Sequence, residues 1–523
     1  MKDFQGMDTL SPNDGFWLYL EHPGLPTNVA AVCEFEGAID AEECTRYIES
    51  KLPQIPRFTE RLEPAPLHLT SPRWRPDPHF NIRRHFRQVR LKTGTTAEWK
   101  NMLGSILGAN LDQNHPLWDM TLVQGLQPNK TGLVLRIHHC LADGVAGVGL
   151  MKALLQDTPQ YQPVRSTQKT PALQSKAVPG ATLIDGMMNA CFLTAQNLVN
   201  TQSELLRLAS KALSSAPAGN GKSAANGANA RPLAALPLPL PLPSLDSIRD
   251  FASVTAAAVT PVQKLPFNTL CSGSIMFDWC DIPMKDVHAI KQNCDATVND
   301  VVLAILCGAI RRYAELHGVN VSRRSVCIGI PVNVRAEGEH AGTGNRITMI
   351  SLNVPIGVDD PLKLLHLVQK KSAVSRNGRS AELIALTGLV LGAIPTPLQR
   401  LGAGVVRRMP VSVFNTVCSN VRGPEKPAYL LGHKLLSAYP FVPIGGEMGI
   451  NFGVLTYNGV MHAGFTGDAH AAPDLADMAR CFQESFEALY AAAGGRRSRE
   501  PQAVRKTRVR KPSGRKAASK KLV

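Results

Sequence analysis

His138-His139-Cys140-Leu141-Ala142-Asp143-Gly144 places two imidazoles, a carboxylate and a turn-forming glycine within seven consecutive residues. The preceding run, Gly132-Leu133-Val134-Leu135-Arg136-Ile137, is apolar and rich in β-branched residues, and it reads as a buried strand leading into the motif. After Gly144, the small and apolar stretch from Val145 to Leu155 reads as a helix packed closely on the sheet. Neighbouring side chains on a strand face opposite sides, so only one of His138 and His139 reaches a given reacting atom. Imidazole titrates near neutrality and takes a proton from a positioned hydroxyl, which makes that residue a candidate general base. Asp143, four residues beyond His139, reads as the residue that fixes the loop.

Outward from this unit, residues 1–156 alternate strand-like runs (Val29 to Phe35) with helical ones (Ala41 to Leu52, Thr96 to Leu111). Residues 157–266 change texture. Leu183 to Leu213 keeps helical spacing, Ser214 to Ala230 is rich in Ser, Ala, Gly and Asn, and Leu236 to Pro243 alternates Leu with Pro. Proline lacks the N–H donor, so that last run is an extended crossover. A second α/β region spans residues 267–494. Val298 to Tyr313 and Leu475 to Ala492 read as helices; Ser325 to Val332, Arg346 to Val354, Phe414 to Ser419 and Gly449 to Tyr457 read as strands. No internal repeat is convincing in the sequence.

The chain of 523 residues carries a formal charge of +16, mostly from residues 495–523, where 12 Lys and Arg stand against one Glu. That tail lacks apolar periodicity and reads as disordered. A polybasic segment without aromatic residues suits an anionic lipid surface better than specific nucleic-acid recognition. Eleven cysteines without a CxxC pair argue against a disulfide framework or a zinc site, and imply a reducing compartment. The N-terminus shows no hydrophobic signal core and no uncharged apolar run reaches bilayer-spanning length, so the expected location is cytoplasmic, with peripheral contact to the inner membrane face or lipid droplets. Leu383 to Pro395, followed by Arg400, Arg407 and Arg408, is too short to span and reads as a core helix or an interfacial one.

Other chemistries lack support. Gly221-Lys222-Ser223 has Ala216 where a phosphate-binding loop needs its first glycine. No HExxH, GxSxG or GxGxxG pattern is present, so neither a metal nor a serine nucleophile is expected.

HHxxxDG resembles the signature of the CoA- and carrier-protein-dependent acyltransferases that include chloramphenicol acetyltransferase and condensation domains. Five further blocks narrow the resemblance to the bacterial wax ester synthase/acyl-CoA:diacylglycerol acyltransferase family. They are Ser11-Pro12-Asn13-Asp14-Gly15-Phe16-Trp17, Pro116-Leu117-Trp118, Asn299-Asp300, Pro331 to Arg335 with Gly344-Asn345, and Ser419-Asn420-Val421-Arg422-Gly423-Pro424. They lie in family order across residues 8–490. The departures are Arg422, where the family usually has proline, and Ile275-Met276, where basic residues are common.

The resemblance implies two chloramphenicol-acetyltransferase-like α/β domains joined by a long linker, with the active site in a channel between them. It further implies transfer of a long-chain acyl group from acyl-CoA, as co-substrate and without a resident cofactor, to diacylglycerol or a fatty alcohol. His139 is then the base, His138 shapes the site, and Asp143 holds the loop through an arginine, for which Arg335 is a candidate. Asn299 is read either as the oxyanion donor or as part of a helix cap with Asp300. Trp118 and Pro116 read as packing, and Ser419 and Asn420 as channel or turn residues. A carrier-protein-dependent condensation enzyme and a non-catalytic lipid-droplet coat protein are the competing readings.

Overall fold

The computed structural model describes residues 9–22, 25–65, 68–142, 144–161, 262–333, 347–377, 396–408 and 413–495. Asp143, Arg335, Gly344-Asn345, Gly221 to Ser223, Leu183 to Pro243, Leu383 to Pro395 and the basic tail lie outside the described residues.

In chain order the first half comprises α1 (Pro12–Leu20), β1 (Asn28–Glu36), α2 (Ala41–Lys51), β2 (Glu60–Glu63), β3 (Arg73–Pro76), α3 (Ile82–His85), β4 (Phe86–Arg90), α4 (Thr96–Leu107), β5 (Trp118–Leu126), β6 (Lys130–His138) and α5 (Gly144–Leu154). The second half comprises β7 (Ile275–Pro283), α6 (Met284–Asn293), α7 (Val298–Leu316), β8 (Ser325–Asn333), β9 (Ile347–Pro355), α8 (Pro361–Asn377), α9 (Thr396–Arg408), β10 (Thr416–Arg422), β11 (Tyr429–Leu430), β12 (His433–Phe441), β13 (Ile450–Tyr457), β14 (Val460–Asp468) and α10 (Leu475–Ala492). Two six-stranded sheets result, ordered β11-β12-β1-β6-β5-β4 and β7-β14-β13-β10-β8-β9.

The same unit occurs twice. In the first sheet β6 pairs antiparallel with β1 and β5, and β4 joins β5 in parallel; in the second, β14 pairs antiparallel with β7 and β13, and β10 joins β13 in parallel. Each hairpin then turns into a helix, α5 or α10. His138 and Asp468 are equivalent last residues of β6 and β14. Each accepts a backbone N–H from two residues on: Cys140 to His138 Nδ1 at 3.0 Å, His470 to Asp468 Oδ1 at 2.9 Å. The repeat escaped the sequence reading because it is one of backbone topology, with different side chains at equivalent positions.

Three apolar clusters hold the molecule together. One joins the first half with Leu430, Leu435, Leu455 and Tyr457 of the second, one surrounds α7 and α10 in the second, and the third joins Trp99 and Leu103 of α4 with Ile275 and Phe277 of β7 and Tyr439 and Phe441 of β12. Gly104 permits that junction. A Cβ there would sit 2.5 Å from the Ile275 carbonyl oxygen, closer than real Cβ atoms come. Residues 429–441, assigned from sequence to the second domain, hydrogen-bond into the sheet of the first: β12 pairs with β1 across Ala30↔Phe441 to Phe35↔Leu435. The halves are therefore interlocked, because β1 has an unpaired edge that this strand covers.

α4 ends at Leu107, four residues before the sequence reading placed its end. The cause is Arg136, buried on β6. Its Nη1 takes the carbonyls of Ile106 and Ala109 at 2.5 Å, while Nε and Nη2 form a bidentate pair with Asp119 on β5 at 2.8 and 2.5 Å. Carbonyls at a helix C-terminus lack intrahelical partners and carry partial negative charge, so a guanidinium satisfies them. No single helix among the described residues is long and apolar enough to cross a membrane; α6 and α7 pass only as a pair bent by 100°, and α7 is core.

Removing one member of a buried pair strands the other's charge, a change that typically costs about 3–5 kcal/mol. Asp119→Asn is expected to lower the unfolding free energy by that order in urea denaturation. A loss of only a few tenths of a kcal/mol would show that Arg136 is satisfied by the α4 carbonyls alone.

Candidate active site

Arg136 and His138 share one face of β6 because they are two residues apart, and that face looks toward α4. β1 lies alongside in register, Asn28 opposite His138. Asn28 Nδ2 also donates to the Ala109 carbonyl, at 3.2 Å. The end of β6 is thus pinned before the chain turns at His139.

His138 is fully buried, and its two nitrogens have opposite roles. Nδ1 accepts the Cys140 N–H, so it carries no proton. Nε2 then bears the hydrogen and donates to Thr27 Oγ1 at 3.0 Å, since that hydroxyl spends its own proton on the Trp17 carbonyl at 3.2 Å. Glu21 Oε2 lies 3.6 Å from the same Nε2. Burial opposes ionisation of Glu21, but the neighbouring His138 imidazole, together with hydrogen bonds from Gln113 and Asn110, outweighs it and holds the carboxyl below its usual range. With both nitrogens engaged, His138 is a structural imidazole of fixed tautomer.

His139 is held differently. Its backbone N–H donates to the Thr27 carbonyl at 2.9 Å, and its ring stacks on the Trp17 indole with centroids 3.9 Å apart and planes 9° from parallel. His139 as a whole is only 7% exposed, which shields it from bulk water. Trp17 is presented by α1. Ser11 caps that helix by accepting the Asp14 N–H at 3.1 Å and returns its hydroxyl proton to Asp14 Oδ2 at 2.7 Å. Residues 11, 14 and 17 recur at one-turn spacing, so one helix face brings cap, buried carboxylate and indole to the histidine turn.

Cys140 follows directly and is fully buried. Burial, then the negative charges of Asp14 and Glu21, raise its thiol pKa well above the ordinary value. A neutral thiol is a poor nucleophile, so covalent catalysis through Cys140 is disfavoured.

From the second half, β10 reaches the start of α5: a Cβ on Gly144 would lie 3.4 Å from Val421 Cγ2 and 3.8 Å from Ser419 Oγ. Asn420 Nδ2 donates to Asn299 Oδ1 at 3.4 Å, which assigns the Asn299 amide oxygen as an acceptor there. Asn299 does not cap α7. Thr297 does, in a capping box closed by Asp300, whose Oδ2 accepts the Thr297 N–H at 3.1 Å. Arg422 ends β10 in a surface ion pair with Glu425. Trp118 is packing: its ring stacks between Phe58 and His85, with Phe80 beyond, and its Nε1 donates to the Phe58 carbonyl at 2.8 Å. Among the described residues no cluster of three or more His, Cys, Asp or Glu gathers to hold a metal.

The structure therefore sets His138 and His139 next to each other at the end of β6, brings Ser419 to the start of α5 and joins Asn420 to Asn299, while Asp143 and Arg335 fall outside the described residues. Sequence reasoning missed Thr27, Glu21, Arg136 and the stacking role of Trp17. The one-turn spacing of Ser11, Asp14 and Trp17 was the only available signal for the last. Thr27 and Glu21 lie in a loop with no periodicity to interpret.

Comparison with known proteins agrees with this geometry. Residues 10–302 match the wax ester synthase/diacylglycerol acyltransferase catalytic domain, and residues 343–490 match the WS/DGAT C-terminal domain. A Mycobacterium tuberculosis protein named as a diacylglycerol O-acyltransferase is 28% identical over 501 residues, covering 92% of this chain and 90% of its own. The solved wax ester synthase/diacylglycerol acyltransferase of Marinobacter aquaeolei VT8 aligns with a TM-score of 0.61 at 20% identity, over 93% of this chain and 100% of that one. The first condensation domain of the calcium-dependent antibiotic synthetase aligns at 0.54 and 13% identity, over 93% and 96%. These two structures share the fold of paired chloramphenicol-acetyltransferase-like halves. Because a single model spans the whole strand-turn-helix unit bearing His138 and His139, and a second matches the half that abuts it, the chain belongs to the wax ester synthase/diacylglycerol acyltransferase family of acyltransferases.

Proposed function

We propose that the protein moves a long-chain acyl group from acyl-CoA to the hydroxyl of diacylglycerol or a fatty alcohol, with His139 as general base. The observation that carries this reading is the commitment of His138, whose two nitrogens are both engaged, so that of the adjacent pair the imidazole stacked on Trp17, His139, is assigned the proton transfer.

The acceptor hydroxyl attacks the thioester carbonyl as its proton passes to His139. A tetrahedral oxyanion forms, the C–S bond breaks, and the proton returns from His139 to sulfur, leaving ester and free CoA. Donors aimed at the oxyanion are commonly worth about 10²–10³ in rate. Asn299 is assigned that role. The stacked indole and the low exposure of the site keep water from competing for the thioester.

Both substrates come from a lipid phase, and we assign the protein a peripheral position on an anionic membrane or droplet surface in the cytoplasm. The basic residues 495–523 support this reading. So do Leu398 and Leu401 of α9, which are 56% and 66% exposed one turn apart. Arg400, between them, instead lies over the Tyr19 ring.

Purified protein incubated with palmitoyl-CoA and either hexadecanol or dioleoylglycerol is expected to form ester. His139→Ala is expected to lower the rate about 10²–10⁴-fold while the chain stays folded by circular dichroism; full activity in that variant would refute the base assignment. Trp17→Leu removes an aromatic pair worth about 0.5–1.5 kcal/mol and is expected to lower kcat by roughly 2- to 12-fold. Cys140→Ala is expected to retain kcat of the same order, and its loss would reinstate a thiol route. Deleting residues 496–523 is expected to reduce sedimentation with anionic vesicles without affecting turnover of substrates in detergent; unchanged sedimentation would remove the tail from the membrane assignment.

A further inference from the structure

Beyond the histidine turn, the C-terminal end of α1, the β2–β3 ribbon, the loop after α4 and α9 enclose a cavity of about 420 Å³. That volume falls within the range of small-molecule sites. Tyr19, Arg61, His68, Thr70, Gln113 and Arg400 supply its polar walls.

Arg61 Nε and the Tyr19 hydroxyl are buried atoms with no hydrogen-bond partner among the described residues. Native structures leave few such atoms unbonded, and each exception calls for a ligand or another cause. Burial raises the Tyr19 pKa against the opposing effect of Arg400, so the phenol keeps its proton and can donate. Among the described residues Glu21 is the one carboxylate in the wall, and it is already committed: Gln113 Nε2 donates to it at 2.6 Å, and His138 lies beside it. What the cavity offers a ligand is therefore cationic. Guanidinium forks match phosphoryl oxygens in geometry as well as charge. The cavity also adjoins the reaction centre, since its wall residues Leu18 and Glu21 flank the segment that carries Trp17 to His139 and Glu21 to His138.

We infer that this cavity is a phosphate-binding subsite, in which Arg61 and Arg400 grip phosphoryl oxygens with the Tyr19 hydroxyl as a further donor, and that the phosphates are those of the CoA donor. The inference rests on the acyl-CoA reading given above. A phospholipid headgroup offers the same phosphoryl chemistry and is separated by the test.

The full-length protein, Arg61→Gln, Arg400→Gln and the double variant are compared on palmitoyl-CoA and on S-palmitoyl-N-acetylcysteamine, the same thioester without phosphate. Each substitution is expected to lower kcat/KM for palmitoyl-CoA about 10- to 150-fold through KM, the range for hydrogen bonds to charged groups. The fall for the phosphate-free thioester is expected to be at least about tenfold smaller, so that discrimination between the two donors collapses. Arg→Lys at either position keeps the charge without the fork and is expected to recover part of the loss. Calorimetric titration with adenosine 3′,5′-bisphosphate is expected to show binding to the unsubstituted protein and none to the double variant. Because this readout needs no turnover, it stands even if no ester is formed, so the subsite and the acyltransferase reading fail separately. Equal losses on both thioesters, or undiminished nucleotide binding by the double variant, would overturn the subsite. Loss of binding to phosphatidic acid vesicles with unchanged palmitoyl-CoA kinetics would move the phosphate to a lipid headgroup and overturn the CoA assignment.

Discussion

The buried guanidinium of Arg136 is the constraint on which the architecture of the site depends. It holds two strands together through Asp119 and ends α4 by taking the carbonyls of Ile106 and Ala109. Desolvating such a charge is costly, and only a full set of acceptors offsets it. The arrangement is therefore rigid in register. Two residues further along the same face stands His138, whose position is fixed before any side chain of the turn is considered.

From that anchor the site divides its labour. One imidazole becomes part of the scaffold because Cys140 and Thr27 occupy its nitrogens; the next is aimed by an indole that a capped helix delivers from the start of the described chain. The duplicated unit in the second half shows the same scaffolding with a carboxylate, Asp468, in place of His138, accepting backbone N–H groups from His470 and Ala471. The backbone turn thus demands an acceptor at this position, and in the first half imidazole meets that demand. The residue after it is His139 in the first half, to which the proposed function gives the proton transfer, and Ala469 in the second.

Three elements interlock the halves. β12 completes the first sheet from the second half, α4 lies against β7 through Gly104, and β10 brings Ser419 to Val421 beneath the first turn of α5. An arrangement assembled this way requires both halves folded, and Asn420 and Asn299 are themselves joined by a hydrogen bond between segments 121 residues apart.

Sequence by itself determined the strand into His138, the α5, α7 and α10 helices, the strands near β8, β9 and β13, and the reaction class. These follow from local signals: periodicity of apolar residues, short motifs at set spacing, and their order along the chain. It left the two histidines distinguished only by resemblance, and it did not reveal Arg136, Thr27 or Glu21 as site residues, because hydrogen-bond partners 17, 111 and 92 residues apart leave no periodic trace. Tertiary structure alone decided that both nitrogens of His138 are occupied, that Thr297 caps α7, and that residues 429–441 belong to the first sheet. The physical reason is the same in each case. A polar group is assigned by whichever partner the fold brings within about 3 Å, and that distance is set by packing between segments remote in the chain.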